Sequence, residues 1–161
     1  MEETESVDLI RLADRPGLGG QSVGVRVTGR SAPGALLGHD WLDWLDCEIV
    51  ITTEVVHGCL PVVLTPDDVE DWERKLGELA GGRSASWPDS GRGPELTVQP
   101  TRNGGMWVSV ADPESSGVVV KLPLAPAAGW VEEQRALLAR VSGVFPRETV
   151  ETSPGVFVWR R

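Results

Sequence analysis

The chain has no tyrosine and only two phenylalanines, two cysteines, two histidines and two lysines among its 161 residues. Two cysteines, Cys47 and Cys59, are too few for a disulfide framework. A hairpin between them would hold them out of register, so both are expected to be small buried hydrophobes. With His39 and His57 they are the only soft donors, separated by seven, nine and one intervening residues. Structural zinc sites bring their ligands in tight pairs, so neither a metal nor another cofactor is expected. No apolar run approaches the ~20 residues needed to cross a bilayer. The start, Met1-Glu2-Glu3-Thr4-Glu5, lacks the basic and apolar regions of a secretory signal. A cytoplasmic protein without membrane contact is the expectation. No glycine-rich loop opens a helix, because Gly17-Leu18-Gly19-Gly20 leads into a strand. The thirteen arginines set against two lysines and one asparagine read as compositional bias, which removes functional weight from arginine abundance.

What the chain does have is acid, unevenly placed. Residues 1–80 carry sixteen acidic and six basic side chains, whereas residues 81–161 carry eight and nine. Between Asp40 and Glu78 there are eleven acids against Arg74 and Lys75. Such a field repels nucleic acid and anionic membranes and steers a basic partner. A basic protein is therefore the expected partner, and nucleic acid is not.

The chain also repeats itself. Leu60-Pro61-Val62-Val63-Leu64 runs into Thr65-Pro66, and about sixty positions later Leu122-Pro123-Leu124 runs into Ala125-Pro126. A helix should follow each. Residues 7–13 and 22–28 read as strands, the second with Val23, Val25 and Val27 on one face. Residues 48–55 and 58–64 form a hairpin, with Pro61 favouring an edge. Thr65 caps the first helix, Pro66 suits its first position, and Asp67 and Asp68 suit its positive end. Val69, Trp72, Leu76 and Leu79 form its inner face, and Gly81-Gly82 ends it. A polar loop over 83–94 precedes strands at 96–99, 106–110 and 118–124, the first two joined by Asn103-Gly104-Gly105. The second helix is expected over 126–141, with Trp130, Gln134, Leu137, Leu138 and Val141 inward. Residues 147–161 are a tail that either adds a strand or docks loosely.

The fold class is thus α+β, a largely antiparallel sheet with two helices packed on one face. The repeat suggests an internal duplication within a single domain: 1–80, then 81–146, then the tail. Trp72 and Trp130, one per helix, should be buried against the sheet.

Gly20-Gln21-Ser22-Val23-Gly24 matches the pattern of a nucleophile elbow, but that chemistry needs a strand-to-helix turn. Here the motif opens a strand, and no catalytic residue is assigned. Asp40-Trp41-Leu42-Asp43-Trp44-Leu45-Asp46 repeats Asp-Trp-Leu in tandem. Tryptophan interleaved with carboxylate can present an apolar surface ringed by negative charge, and tryptophan is enriched at interface hot spots. The candidate partner-binding residues are Asp40, Trp41, Asp43, Trp44 and Asp46, continued by Asp67 and Asp71 on the outer face of the first helix. Trp41 or Trp44 should be exposed, and the carboxylates should form one continuous patch.

The His39-Asp40 connection, the Asp46-Cys47-Glu48-Ile49-Val50 strand and the phrase Leu64-Thr65-Pro66-Asp67-Asp68-Val69-Glu70-Asp71-Trp72 resemble a family of uncharacterised actinobacterial proteins built on a domain of unknown function. The resemblance spans about residues 7–147, and positions 41–46 are longer than that pattern by about three residues. The layout is also similar to WapI-family immunity proteins, with a Leu-Thr entry into a Trp-containing helix and a later Pro94-Glu95-Leu96 strand. This similarity implies a toxin inhibitor and carries over no catalytic residues. The leading expectation is a non-catalytic cytoplasmic protein-binding domain, immunity-like, working through its acidic first half. The alternatives are an accessory or regulatory factor of a biosynthetic cluster and a small enzyme with a site dispersed over His39, His57 and Asp43.

Overall fold

In the computed structural model, residues 5–31, 43–91 and 93–160 are described. Among them the chain order is β1 (Val7–Ala13), β2 (Ser22–Arg30), β3 (Leu45–Thr52), β4 (His57–Leu64), α1 (Pro66–Ala80), β5 (Ala85–Trp87), β6 (Glu95–Pro100), β7 (Met106–Ala111), β8 (Val119–Leu124), α2 (Trp130–Val144), β9 (Thr149–Ser153) and β10 (Val156–Trp159). β1 to β4 form one antiparallel sheet in chain order, and β5 to β8 form another. Each sheet is followed by a helix. The α+β class and the doubled strands-plus-helix layout are as the repeated phrase implies, with the strands shared between two sheets.

Period-2 alternation sets the inner faces. Val23, Val25 and Val27 of β2 and Leu45, Cys47, Ile49 and Ile51 of β3 are buried together. In β1 the register slips between Asp8 and Ile10, so consecutive Leu9 and Ile10 both point inward. At that bulge the sheet needs glycine in β2: a Cβ on Gly24 would lie 2.9 Å from the Ile10 carbonyl oxygen. The second unit buries Leu96, Val98, Val108, Val110, Leu122 and Leu124 in the same cluster as the first, forming one continuous core.

The helices cross over. α1 rests on β5, the first strand of the second unit, and α2 rests on β1, the first strand of the first unit. β1 and β5 are the outer strands of their sheets, so each helix covers an edge that would otherwise expose backbone polar groups. Gln134 of α2 does this with its side chain. The Arg11 N–H donates to its Oε1 (2.7 Å), and its Nε2 donates to the Arg11 carbonyl (2.8 Å), with Gln134 itself 0% exposed. Replacing Gln134 by leucine strands both backbone groups. It should lower stability by more than the ~1–3 kcal/mol of a single unsatisfied buried group, read as a lower urea midpoint and faster amide exchange at Arg11.

Three expectations are corrected. α2 begins at Trp130 instead of 126, because Ala125 has no side chain to cap a helix and the chain turns through Gly129 at φ 81° before entering it. Trp130 is accordingly half-buried, packed at the margin of the core, whereas Trp72 is buried. Cys59 is exposed on the outer face of β4, while Cys47 is buried and its thiol pushed up to about 12 by that burial. The tail forms the β9–β10 hairpin.

Candidate partner-binding surface

The outer face of the first sheet follows from the same alternation. If Leu45, Cys47 and Ile49 point inward, then Trp44, Asp46, Glu48 and Val50 point outward, beside His57, Cys59, Pro61 and Val63 of β4. Where β4 hands over to α1, this face deepens into a groove of about 780 Å³. Trp44 and Asp46 line it together with Pro61 and Val63, and Pro88 and Pro94 of the β5–β6 connection line it as well. Val63 is 49% exposed. Asp68 also borders the groove, but its carboxylate is engaged in a capping box, accepting from Thr65 N (2.9 Å) and Thr65 Oγ1 (3.0 Å). Glu48 is paired with Arg26 at 2.8 Å. Among the described residues Asp46 is in no such pair.

The expected site residues therefore divide. Asp40 and Trp41 lie outside the described residues. Trp44 and Asp46 meet in the groove, where Trp44 is half-buried. Asp67 is exposed in the first turn of α1, and Asp71 is half-buried in an ion pair with Arg74.

Asp43 belongs elsewhere. It is 6% exposed, and its carboxylate accepts from Glu148 N (2.8 Å), Thr149 N (3.1 Å) and the Thr149 hydroxyl, with Arg30 Nη1 at 3.5 Å. Burial alone would push its pKa up, but Thr149, the two backbone N–H groups and Arg30 hold it net below the ordinary carboxylate value. It is a structural anchor for the tail hairpin, which corrects its placement on the surface. The continuous acidic patch is also broken by arginine, through Arg26–Glu48 and through Arg147–Glu70 at 3.5 Å. Glu48, Pro61 and Val63 were missed as site residues, although strand parity alone places them beside Asp46.

His57 stands exposed at the far end of the β3–β4 hairpin from Asp43. Ser22 opens β2 and pairs with Thr52, with no helix behind it. Among the described residues no group of three or more His, Cys, Asp or Glu side chains is placed to hold a metal, and no helix is long and apolar enough to cross a membrane.

A family model described as a family of unknown function, DUF5959, matches residues 7–146. No curated protein matches the chain. Among solved structures it is similar to one described as a guideRNA-binding protein complex bound to a gRNA, at 12% identity over 88% of this chain and 92% of that one, with a TM-score of 0.42.

Proposed function

The chain belongs to the DUF5959 family, whose function is unknown, and from its own surface we propose that it is a non-catalytic cytoplasmic protein-binding domain that recognises a basic partner at the groove beside β4. The observation that carries this reading is the meeting of Trp44 and Asp46 in one 780 Å³ depression rimmed by Pro61, Val63, Pro88 and Pro94. An indole and proline rings supply rigid apolar contact, and a carboxylate with no ion-pair partner among the described residues selects a cation over that contact. Most of the groove lining comes from the half of the chain with sixteen acids against six bases, which adds long-range attraction for a basic protein. Neutralising a basic toxin, as the likeness to immunity proteins implies, is one form of this function.

The immobilised chain should capture basic proteins from lysate of its source cells, identified by mass spectrometry. Capture should fall as salt rises, because exposed charges are screened within ~10 Å at 0.1 M. Asp46→Asn should weaken capture about tenfold, the loss of one charge-assisted contact of ~1.4 kcal/mol. The same substitution should leave stability within about 0.5 kcal/mol, as surface changes usually do. Partners retained equally by wild type, Asp46→Asn and Trp44→Ala, or indifferent to salt, would defeat the proposal.

A further inference from the structure

The two units have corresponding corners where the last strand enters the helix, and these corners are finished differently. With an offset of sixty residues, Val63 corresponds to Pro123 and Thr65 to Ala125. The cross-strand partners agree: Asp46 faces Val63, and Trp107 faces Pro123. In the second unit the strand edge is occupied by the β1–β2 connection. Arg15 N donates to the Ala125 carbonyl (2.9 Å), Ala125 N donates to Asp14 Oδ1 (2.9 Å), and Gln21 Nε2 donates to the Pro123 carbonyl (3.2 Å). In the first unit Thr65 is satisfied by its own helix through Asp68. Pro88 and Pro94 of the β5–β6 connection line the groove, and among the described residues this connection makes no backbone hydrogen bond to β4.

Ladder alternation shows which groups this leaves open. Thr53 N donates to the Val56 carbonyl (2.8 Å), so the hydrogen-bonded pairs continue at 51–58, 49–60, 47–62 and 45–64. The N–H and C=O of Cys59 and Val63, and the C=O of Pro61, therefore face away from β3. β4 is the outer strand of its sheet, and these three residues are exposed. Among the described residues none of these groups is engaged across that edge.

We propose that the groove takes an extended, lysine- or arginine-bearing segment of the basic partner, which adds to the free edge of β4 and pairs with Val63. The internal copy shows this edge position holding a chain segment, and the charge of the groove sets the chemistry of the occupant. A side chain lying over Val63 has Asp46 one strand further in, about 5 Å beyond. A lysine or arginine stem spans that gap along Pro61 and Trp44, whereas a short side chain cannot. Main-chain pairing supplies affinity and the carboxylate supplies selectivity, as in other strand-addition modes. This inference rests on the proposed function and adds the backbone mode of recognition.

The probe is a fluorescein-labelled peptide of about ten alternating lysine and threonine residues, titrated with the full chain by anisotropy. Its companions are a glutamate–threonine peptide and two copies of the lysine peptide N-methylated on alternate amides in either register. The lysine peptide should bind and the glutamate peptide should not. One N-methylated register should bind at least about tenfold more weakly, since it removes the amides that pair with the edge. Val63→Pro should cost about as much, because it deletes only an outward N–H at a position where the sister strand already carries Pro123. An unchanged denaturation midpoint would confirm the fold of that variant. If both methylated peptides bind like the parent and Val63→Pro binds like wild type while Asp46→Asn does not, strand addition is overturned and the charge-based reading survives. If lysine and glutamate peptides bind equally, or neither binds, the proposed function itself fails. A concentration-dependent dimer abolished by Val63→Pro would show that the edge serves a second copy of this chain, which also overturns the inference.

Discussion

Replacing Trp72 by alanine should lower the unfolding free energy by about 3–5 kcal/mol, as for other large core aromatics, seen as a fall in the chemical-denaturation midpoint at unchanged slope. Trp72 is 1% exposed and lies where α1 crosses onto the second unit, its ring centroid 5.4 Å from that of Trp87 in a tilted arrangement. Trp87 is held in turn by its own indole N–H donating to the Asp68 carbonyl at 2.7 Å. Truncation removes ring area from both helix and strand and leaves a cavity bounded by elements that cannot close without shifting α1. The loss is a large share of the 5–15 kcal/mol typical of a domain. Trp72→Phe should be much milder than its lost volume suggests. The Trp72 Nε1 is buried without an acceptor among the described residues, so phenylalanine also removes an unsatisfied donor. A phenylalanine variant as unstable as the alanine variant would show that indole shape, not buried area, decides the contact. Trp130→Ala should cost clearly less than Trp72→Ala, because Trp130 is only half-buried.

The elements most legible in the sequence were those whose local signals agree with their tertiary surroundings. The sequence predicts β1 at its observed limits, Val7–Ala13, and α1 begins where Thr65-Pro66-Asp67-Asp68 places it. Where the signals fail, another part of the chain makes the decision. β5 has three residues, Ala85–Trp87, too few for alternation to register; α1 packing on it keeps it inside. The late start of α2 was hidden by the repeat itself. The offset of sixty maps Pro126 onto Pro66, yet the copy lacks the threonine that closes the first cap. At the site the missing step was parity. Cys47 and Ile49 fix odd positions of β3 as inward, so the repeat Asp43-Trp44-Leu45-Asp46 has to send Asp43 and Asp46 to opposite faces. One patch of all these carboxylates is incompatible with that alternation. The difference between the two corners was beyond sequence reading, because it depends on which connection reaches which strand edge.

Removing the Asp43 carboxylate should be as damaging as removing Trp72, for an electrostatic reason. Its oxygens gather donors from two distant stretches of chain: Arg30 at the end of β2, and the backbone N–H groups of Glu148 and Thr149 with the Thr149 hydroxyl. Arg147 Nε also approaches, at 3.9 Å, and is buried without a hydrogen-bond partner among the described residues. Asp43→Ala leaves these donors and the arginine charge facing an apolar methyl, a loss of about 3–5 kcal/mol when one side of a buried ion pair is deleted. The β9–β10 hairpin is tied to the sheets through this carboxylate, so its amides should lose exchange protection first, with trypsin cleaving earlier at Arg147. The pH dependence follows from the depressed folded-state pKa of Asp43. A group held below its unfolded value contributes stability that is complete above the ordinary carboxylate value of 3.8 and is lost as pH falls through the lower folded value. Wild type should therefore lose stability below about pH 4 more steeply than Asp43→Ala, and the two curves should converge in acid. Parallel curves across that range, or an alanine variant with an unaltered tail hairpin, would mean that Arg30 and the backbone hold the hairpin without the carboxylate.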